Sequence, residues 1–248
     1  MKLSVRTFAV LAGFIIVGCG GEEKPVSNDA RPRPDAPPSC PPAAQPLATG
    51  TFKLFVSFEG VTVKLGDCDD SRTNCSALVT QASTVVPSFL SGDAARASHI
   101  STIVGMAQDA LAPFSVDVVT TRPASGNYWM VSVGGTSDAI TGVADKLLAV
   151  KPVCDAMNKN GIAFVFEQDA TLDTPDRAYA DTIAGAFGHL VGLVPTRSAR
   201  DCMCVSSTCA HTQACTWGTA TLPEAGNSCD RTMQNEQLLL MDSIGCRS

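Results

Sequence analysis

From residue 49 to residue 248 two hydrophobic periodicities alternate, and together they predict a domain built from both strands and helices. Residues 53–63, KLFVSFEGVTV, are rich in β-branched and aromatic side chains and predict a strand, or a strand pair broken near Gly60. Over residues 97–111, Ile100, Ile103, Val104, Ala107 and Leu111 recur at a spacing that puts them on one helical face, and Pro113 follows as a stop. Two β-branched runs, 115–121 and 128–133, are separated by the turn-rich Pro123-Ala124-Ser125-Gly126-Asn127. GIAFVFE at 161–167 is an unbroken apolar run, the pattern of a central strand covered on both faces. A helix is predicted over 175–193, with Thr174 as N-cap and Pro175 in its first position. Residues 197–229 read as a cysteine-rich loop and 233–244 as a final helix. This length suits one domain with a substantial core, and there is no internal repeat.

The first 48 residues follow neither periodicity. Lys2 and Arg6 precede an apolar stretch from residue 8 to 17 that ends in Gly18-Cys19-Gly20-Gly21, the order of a secretory signal peptide covering residues 1–18. The stretch is shorter than the roughly 20 residues a spanning helix needs. Ile16-Val17-Gly18-Cys19 resembles the bacterial lipobox. That resemblance implies that Cys19 becomes the first residue of the mature protein, with diacylglycerol on its sulfur and a further acyl chain such as palmitate on its amine. Two lipid signals or more give stable anchoring where one gives only marginal binding, so the membrane is an expected partner. Gly20 in place of Asp implies, by the same resemblance, the outer membrane of a Gram-negative bacterium. Residues 19–48 are dense in proline without apolar periodicity and predict an extended, semi-rigid tether with little to bury.

The balance is 18 basic against 24 acidic residues, and nothing suggests a nucleic-acid surface, which would show clustered Lys and Arg. Of 11 cysteines, Cys19 is assigned to lipid, and the even number left in an exported chain reads as a disulfide framework. Cys68 and Cys75 close a short Asp/Asn-rich loop and are the expected local pair; the remaining connectivity stays open. Cys202-x-Cys204-x4-Cys209-x-His211-x3-Cys215 has the spacing of a thiolate–imidazole zinc cluster, against which the oxidising compartment favours disulfides. Asp67, Asp69, Asp70 and Asn74 read as a solvated acidic loop, since the calcium-binding alternative lacks EF-hand spacing. His99 and His211 carry no triad motif.

Within the helix predicted over 175–193, residues 182–193 run TIAGAFGHLVGL and resemble the active-site helix of the metzincin zinc peptidases, H-E-x-x-H-x-x-G-x-x-H. On that alignment His189 takes the second histidine and Gly192 the glycine, while Gly185, Ala186 and Pro195 stand where the first histidine, the glutamate and the third histidine belong. Asp201-Cys202-Met203 resembles the family's Met-turn, with Met203 as its methionine. The resemblance covers most of 49–248. It implies an α+β, zincin-like fold: a mixed sheet with an antiparallel edge strand, an active-site-type helix, a Met-turn and a C-terminal helix. Catalytic zinc needs about three protein ligands and an open water position. Gly185 and Pro195 have no side-chain donor, so His189 remains as a vestigial metal residue. Ala186 cannot act as the general base, a role worth about 10²- to 10⁴-fold in rate.

The expectation is therefore a pseudopeptidase with no catalytic residue and no cofactor. It would be a binding module for a peptide or protein that adds as a strand beside the edge of the sheet, or a structural protein of the cell envelope. The alternative is an active zinc endopeptidase that combines His189 with His211 or a cysteine.

Overall fold

The computed structural model describes residue 40 and residues 52–151, 153–154, 157–167, 175–204, 209–221, 229 and 232–247. The expected signal peptide, Cys19, the tether apart from Cys40, and the expected N-cap Thr174 lie outside the described residues.

In chain order the elements are β1 (Phe52–Ser57), β2 (Val61–Leu65), β3 (Asp69–Asp70), β4 (Cys75–Ser76), β5 (Ser83–Val86), α1 (Arg96–Leu111), β6 (Val116–Val119), β7 (Trp129–Val133), α2 (Ser137–Thr141), β8 (Leu148–Val150), β9 (Ile162–Val165), α3 (Pro175–Leu190), β10 (Thr219–Thr221), β11 (Met233–Asn235) and α4 (Glu236–Ile244). The architecture is mixed α/β. The main sheet has the order β6-β1-β7-β9-β8. β1, β6, β7 and β9 pair in parallel, and β8 runs antiparallel to β9 at one edge. A second mixed sheet has the order β3-β4-β2-β5, and β10 and β11 form an antiparallel pair.

The apolar patterns explain this layering. Parallel strands need crossovers, and α1 lies on the path between β1 and β6. α1 and α3 pack on one face of the main sheet over Leu54, Val56, Trp129, Val131, Ala163 and Val165. On the opposite face Phe55, Met130, Ile162 and Phe164 meet the second sheet through Val63 and Val86. β7 and β9 are thus covered on both sides, which is why their sequences show no polar alternation. Burying a side chain the size of Phe164 or Ile162 contributes about 1.5–3 kcal/mol. On the α3 side Trp129 meets Phe187 edge-on at 5.1 Å.

The apolar stretch 53–63 is the strand pair broken near Gly60, and its two strands lie in different sheets. At Gly60 (φ +81) the chain leaves β1 for β2, and a β-carbon there would come within 2.7 Å of the Val86 carbonyl oxygen. The start of the predicted final helix is instead β11, and Asn235 ends it by accepting a hydrogen bond from Leu238 N at 2.9 Å as the N-cap of α4. The short elements α2, β3, β4, β5, β8 and β10 carried no periodicity long enough to predict.

All ten cysteines other than Cys19 are paired: Cys40–Cys246, Cys68–Cys75, Cys154–Cys229, Cys202–Cys215 and Cys204–Cys209. Cys40 lies in the segment expected to be a tether with little to bury. It is half-buried, packs against the core and is crosslinked to the chain's last turn, because α4 and the strand-like contact of Phe114 with Cys246 bring that turn beside it. The acidic loop around Cys68 is not merely solvated. Asp69 accepts from Ile162 N at 3.0 Å and Asn158 Nδ2 at 3.2 Å, which anchors the entry to β9. Burial raises its carboxyl above the usual range. Asp70 is held by Arg72 at 3.1 Å, which lowers its carboxyl.

Candidate functional site

A cleft of about 740 Å³ lies between β8 and α3. One wall is Leu148, Ala149 and Val150 of β8, with Val143 and Leu147 on the rim; the other is Thr182, Gly185 and His189 of α3, followed by Leu193, Val194 and Pro195. β8 is the end strand of the main sheet, so one of its edges has no strand partner among the described residues. The pairing of Leu148 with Val165, and the bond from Phe166 N to Leu147 O, fix which groups face outward. In antiparallel alternation Leu148 and Val150 turn their N–H and C=O away from β9, while Ala149 turns inward.

α3 ends where it does because of Gly192. Gly192 N donates to His189 O at 3.2 Å, Leu193 N donates to Gly188 O at 2.9 Å, and Gly192 has φ +102. These are the two bonds of a Schellman cap, which needs a left-handed residue. The cap turns the Leu193 carbonyl back over the last turn, where it accepts a hydrogen bond from His189 Nδ1 at 3.1 Å. A carbonyl can only accept, so the ring proton sits on Nδ1 and the lone pair on Nε2. His189 is 5% exposed, and burial lowers its pKa to about 4. It is a neutral imidazole at physiological pH.

Under α3 lies the turn 201–204. Cys204 N donates to Asp201 O at 3.0 Å, and Met203 N donates to Asp201 Oδ1 at 2.8 Å, so the aspartate caps its own turn. Met203 is fully buried against Gly188, where a β-carbon would collide with its sulfur. A β-carbon on Gly185 would lie 2.6 Å from the Cys202 carbonyl oxygen. The two glycines let helix and turn approach this closely, so the position aligned with the first motif histidine is closed by backbone. Pro195 lines the cleft but has no donor. Zinc with three protein ligands does not fit this set, in which His189 supplies one nitrogen. Among the described residues no group of three His, Cys, Asp or Glu side chains is placed to hold an ion.

Two arrangements were not anticipated from the residue patterns. His211 reaches the same cleft, with Nδ1 3.0 Å from Asp181 Oδ2. Asp181 is 5% exposed and stands four residues before Gly185 and eight before His189. A carboxylate at that spacing within an apolar helical run was the available signal. The second arrangement is a buried carboxyl pair. Glu236 is fully buried, and its pKa is pushed up to about 9, first by burial and then by the neighbouring Asp201. Gln234 joins this pair to the cleft wall: it accepts from Val194 N at 2.8 Å and donates to Val194 O and Glu236 Oε1, each at 3.1 Å. His99 belongs to neither; it meets Asp176 at 2.8 Å and ties α1 to the first turn of α3.

No protein-family model matches the chain, and no match is found among curated proteins. The cleft's chemistry is the remaining guide. It offers a strand edge, an apolar rim on which Val143 and Leu147 are 50% and 41% exposed, the neutral imidazole of His189 and, beside Asp181, the imidazole of His211.

Proposed function

We propose that the chain is an exported lipoprotein, anchored through lipid on Cys19 to the outer membrane of a Gram-negative bacterium, whose metzincin-like domain binds an extended peptide or protein segment without cleaving it. The observation that carries this reading is the position of β8, an end strand whose outward N–H and C=O groups at Leu148 and Val150 border a cleft of about 740 Å³. An extended ligand adding to such an edge gains main-chain hydrogen bonds, and the apolar wall selects side chains. The family resemblance draws support from four parallel strands with one antiparallel edge, from the capped helix end at Gly192, and from Met203 beneath α3. The non-catalytic reading rests on Ala186, Gly185 and Pro195 at the positions that need a base and two ligands. No helix among the described residues is long and apolar enough to cross a membrane, and lipid on Cys19 would provide the attachment.

The test is binding of the purified protein to an array of extended peptides in which one apolar side chain is moved along a polar backbone. Val150→Pro removes one outward N–H and should abolish binding while leaving the disulfides and far-UV spectrum intact. Equal binding by wild type and variant would defeat strand addition. One firmly held zinc per molecule together with chelator-sensitive proteolysis would replace this reading with that of an active endopeptidase.

A further inference from the structure

The two end strands of the main sheet are finished differently. On β6, Phe52 N donates to Ser115 O, so parallel alternation turns the carbonyls of Val116 and Val118 outward. Both are occupied: Arg247 Nη2 donates to Val116 O, and Gln108 Nε2 donates to Val118 O at 3.3 Å. On β8 no side chain among the described residues covers Leu148 or Val150 in this way. A segment that adds to this sheet is therefore led to β8, where its side chains on one face run over the α3 wall of the cleft.

That wall has already spent its donors. Thr182 Oγ1 donates to Ala178 O at 2.7 Å, His189 Nδ1 to Leu193 O at 3.1 Å, Leu193 N to Gly188 O, and Val194 N to Gln234. What remains is an acceptor. The Nε2 lone pair of His189, on the side of the ring away from Leu193, has no partner among the described residues and is not sealed within protein, so it opens on the cleft that the ring lines. His189 is nevertheless 5% exposed. An acceptor so far removed from water costs free energy that a donor on a ligand recovers.

We propose that the segment held at β8 is selected by a serine or threonine hydroxyl that donates to His189 Nε2. The inference rests on strand addition at β8 and adds to it the chemistry of one ligand side chain. Other side chains fit this wall worse. An amide brings a carbonyl for which the wall has no donor left, and a carboxylate needs donors outright. An ammonium or guanidinium brings a charge that a neutral imidazole does not balance. An aliphatic side chain covers Nε2 and leaves it unpaired. A hydroxyl has one proton to give and needs one acceptor to receive it.

The test uses the full-length protein and short extended peptides with valine at alternate positions, in which one threonine is walked along the chain and then replaced by O-methylthreonine, valine, asparagine or lysine. In one register threonine should bind about tenfold or more tighter than each replacement. The imidazole ¹⁵N spectrum of the unaltered protein, with three histidines to assign, should show the His189 Nε2 resonance moving to lower frequency with the threonine peptide and not with its valine counterpart. His189→Phe should bind both peptides alike; if that variant fails to fold, the resonance decides. Equal affinity for threonine and valine in every register, a preference for asparagine or lysine, or the same Nε2 shift with both peptides overturns this inference alone, and strand addition stands while Val150→Pro still abolishes binding. Undiminished binding of the threonine peptide by Val150→Pro, or no binding by any peptide of the set, overturns both.

Discussion

Glu236 makes the stability of this protein depend on alkaline pH in a way that one substitution should erase. Its carboxyl is fully buried and keeps its proton up to about pH 9, whereas in the unfolded chain it ionises near 4.5. Between those values the native state binds one proton more than the unfolded state. The group's stabilisation is therefore complete below 4.5 and is lost as pH rises through about 9. The slope is about 1.4 kcal/mol per pH unit, so from about pH 7 to about pH 8.5 the wild type should lose about 2 kcal/mol. His189, lowered to about 4, is neutral in both states over that interval and adds no slope. Glu236→Gln keeps the shape and can donate to Asp201 as the protonated carboxyl does. It gives up one of the two acceptors used by Gly218 N and Gln234 Nε2, at a cost of about 1 kcal/mol. Urea unfolding followed by the fluorescence of Trp129 and Trp217, with disulfides intact, should show the wild type falling and the variant flat, with the two curves crossing before pH 9. Parallel slopes would refute the reasoning.

Gly185→His, which puts a histidine where the resembled motif has its first, should lower stability by about 1–3 kcal/mol, because its β-carbon meets the Cys202 carbonyl oxygen at 2.6 Å; thermal melting measures the loss, and metal analysis should find no zinc gained. His189→Gln should flatten the acid limb of the stability curve. His189 stabilises fully above about 6.5 and loses that contribution as pH falls through about 4, so wild type and variant should converge with acid in urea titrations. Replacing Cys40 and Cys246 by serine opens a loop of 206 residues and should cost about 5 kcal/mol, against about 2 kcal/mol for Cys204 and Cys209, whose separation is 5; a reversed order of denaturation midpoints would show that native strain rather than chain entropy governs these bonds.

Much of this protein was legible in the sequence wherever a property depends on neighbours along the chain. Ile103, Ala107 and Leu111 marked the buried face of α1, GIAFVFE marked a strand covered on both sides, and Gly192 marked the end of α3, because side-chain periodicity and left-handed φ are local constraints. The parity of the cysteines and the short Cys68–Cys75 loop were local in the same sense. What tertiary structure alone decided is every relation across long separations. It sent the two halves of residues 53–63 into different sheets, joined Cys40 to Cys246, set Asp181 beside His211, and buried Glu236 against Asp201. Each of these comes from packing two faces whose periodicities are unrelated. A sequence pattern reports that a face is apolar, and only the folded chain selects the face that meets it.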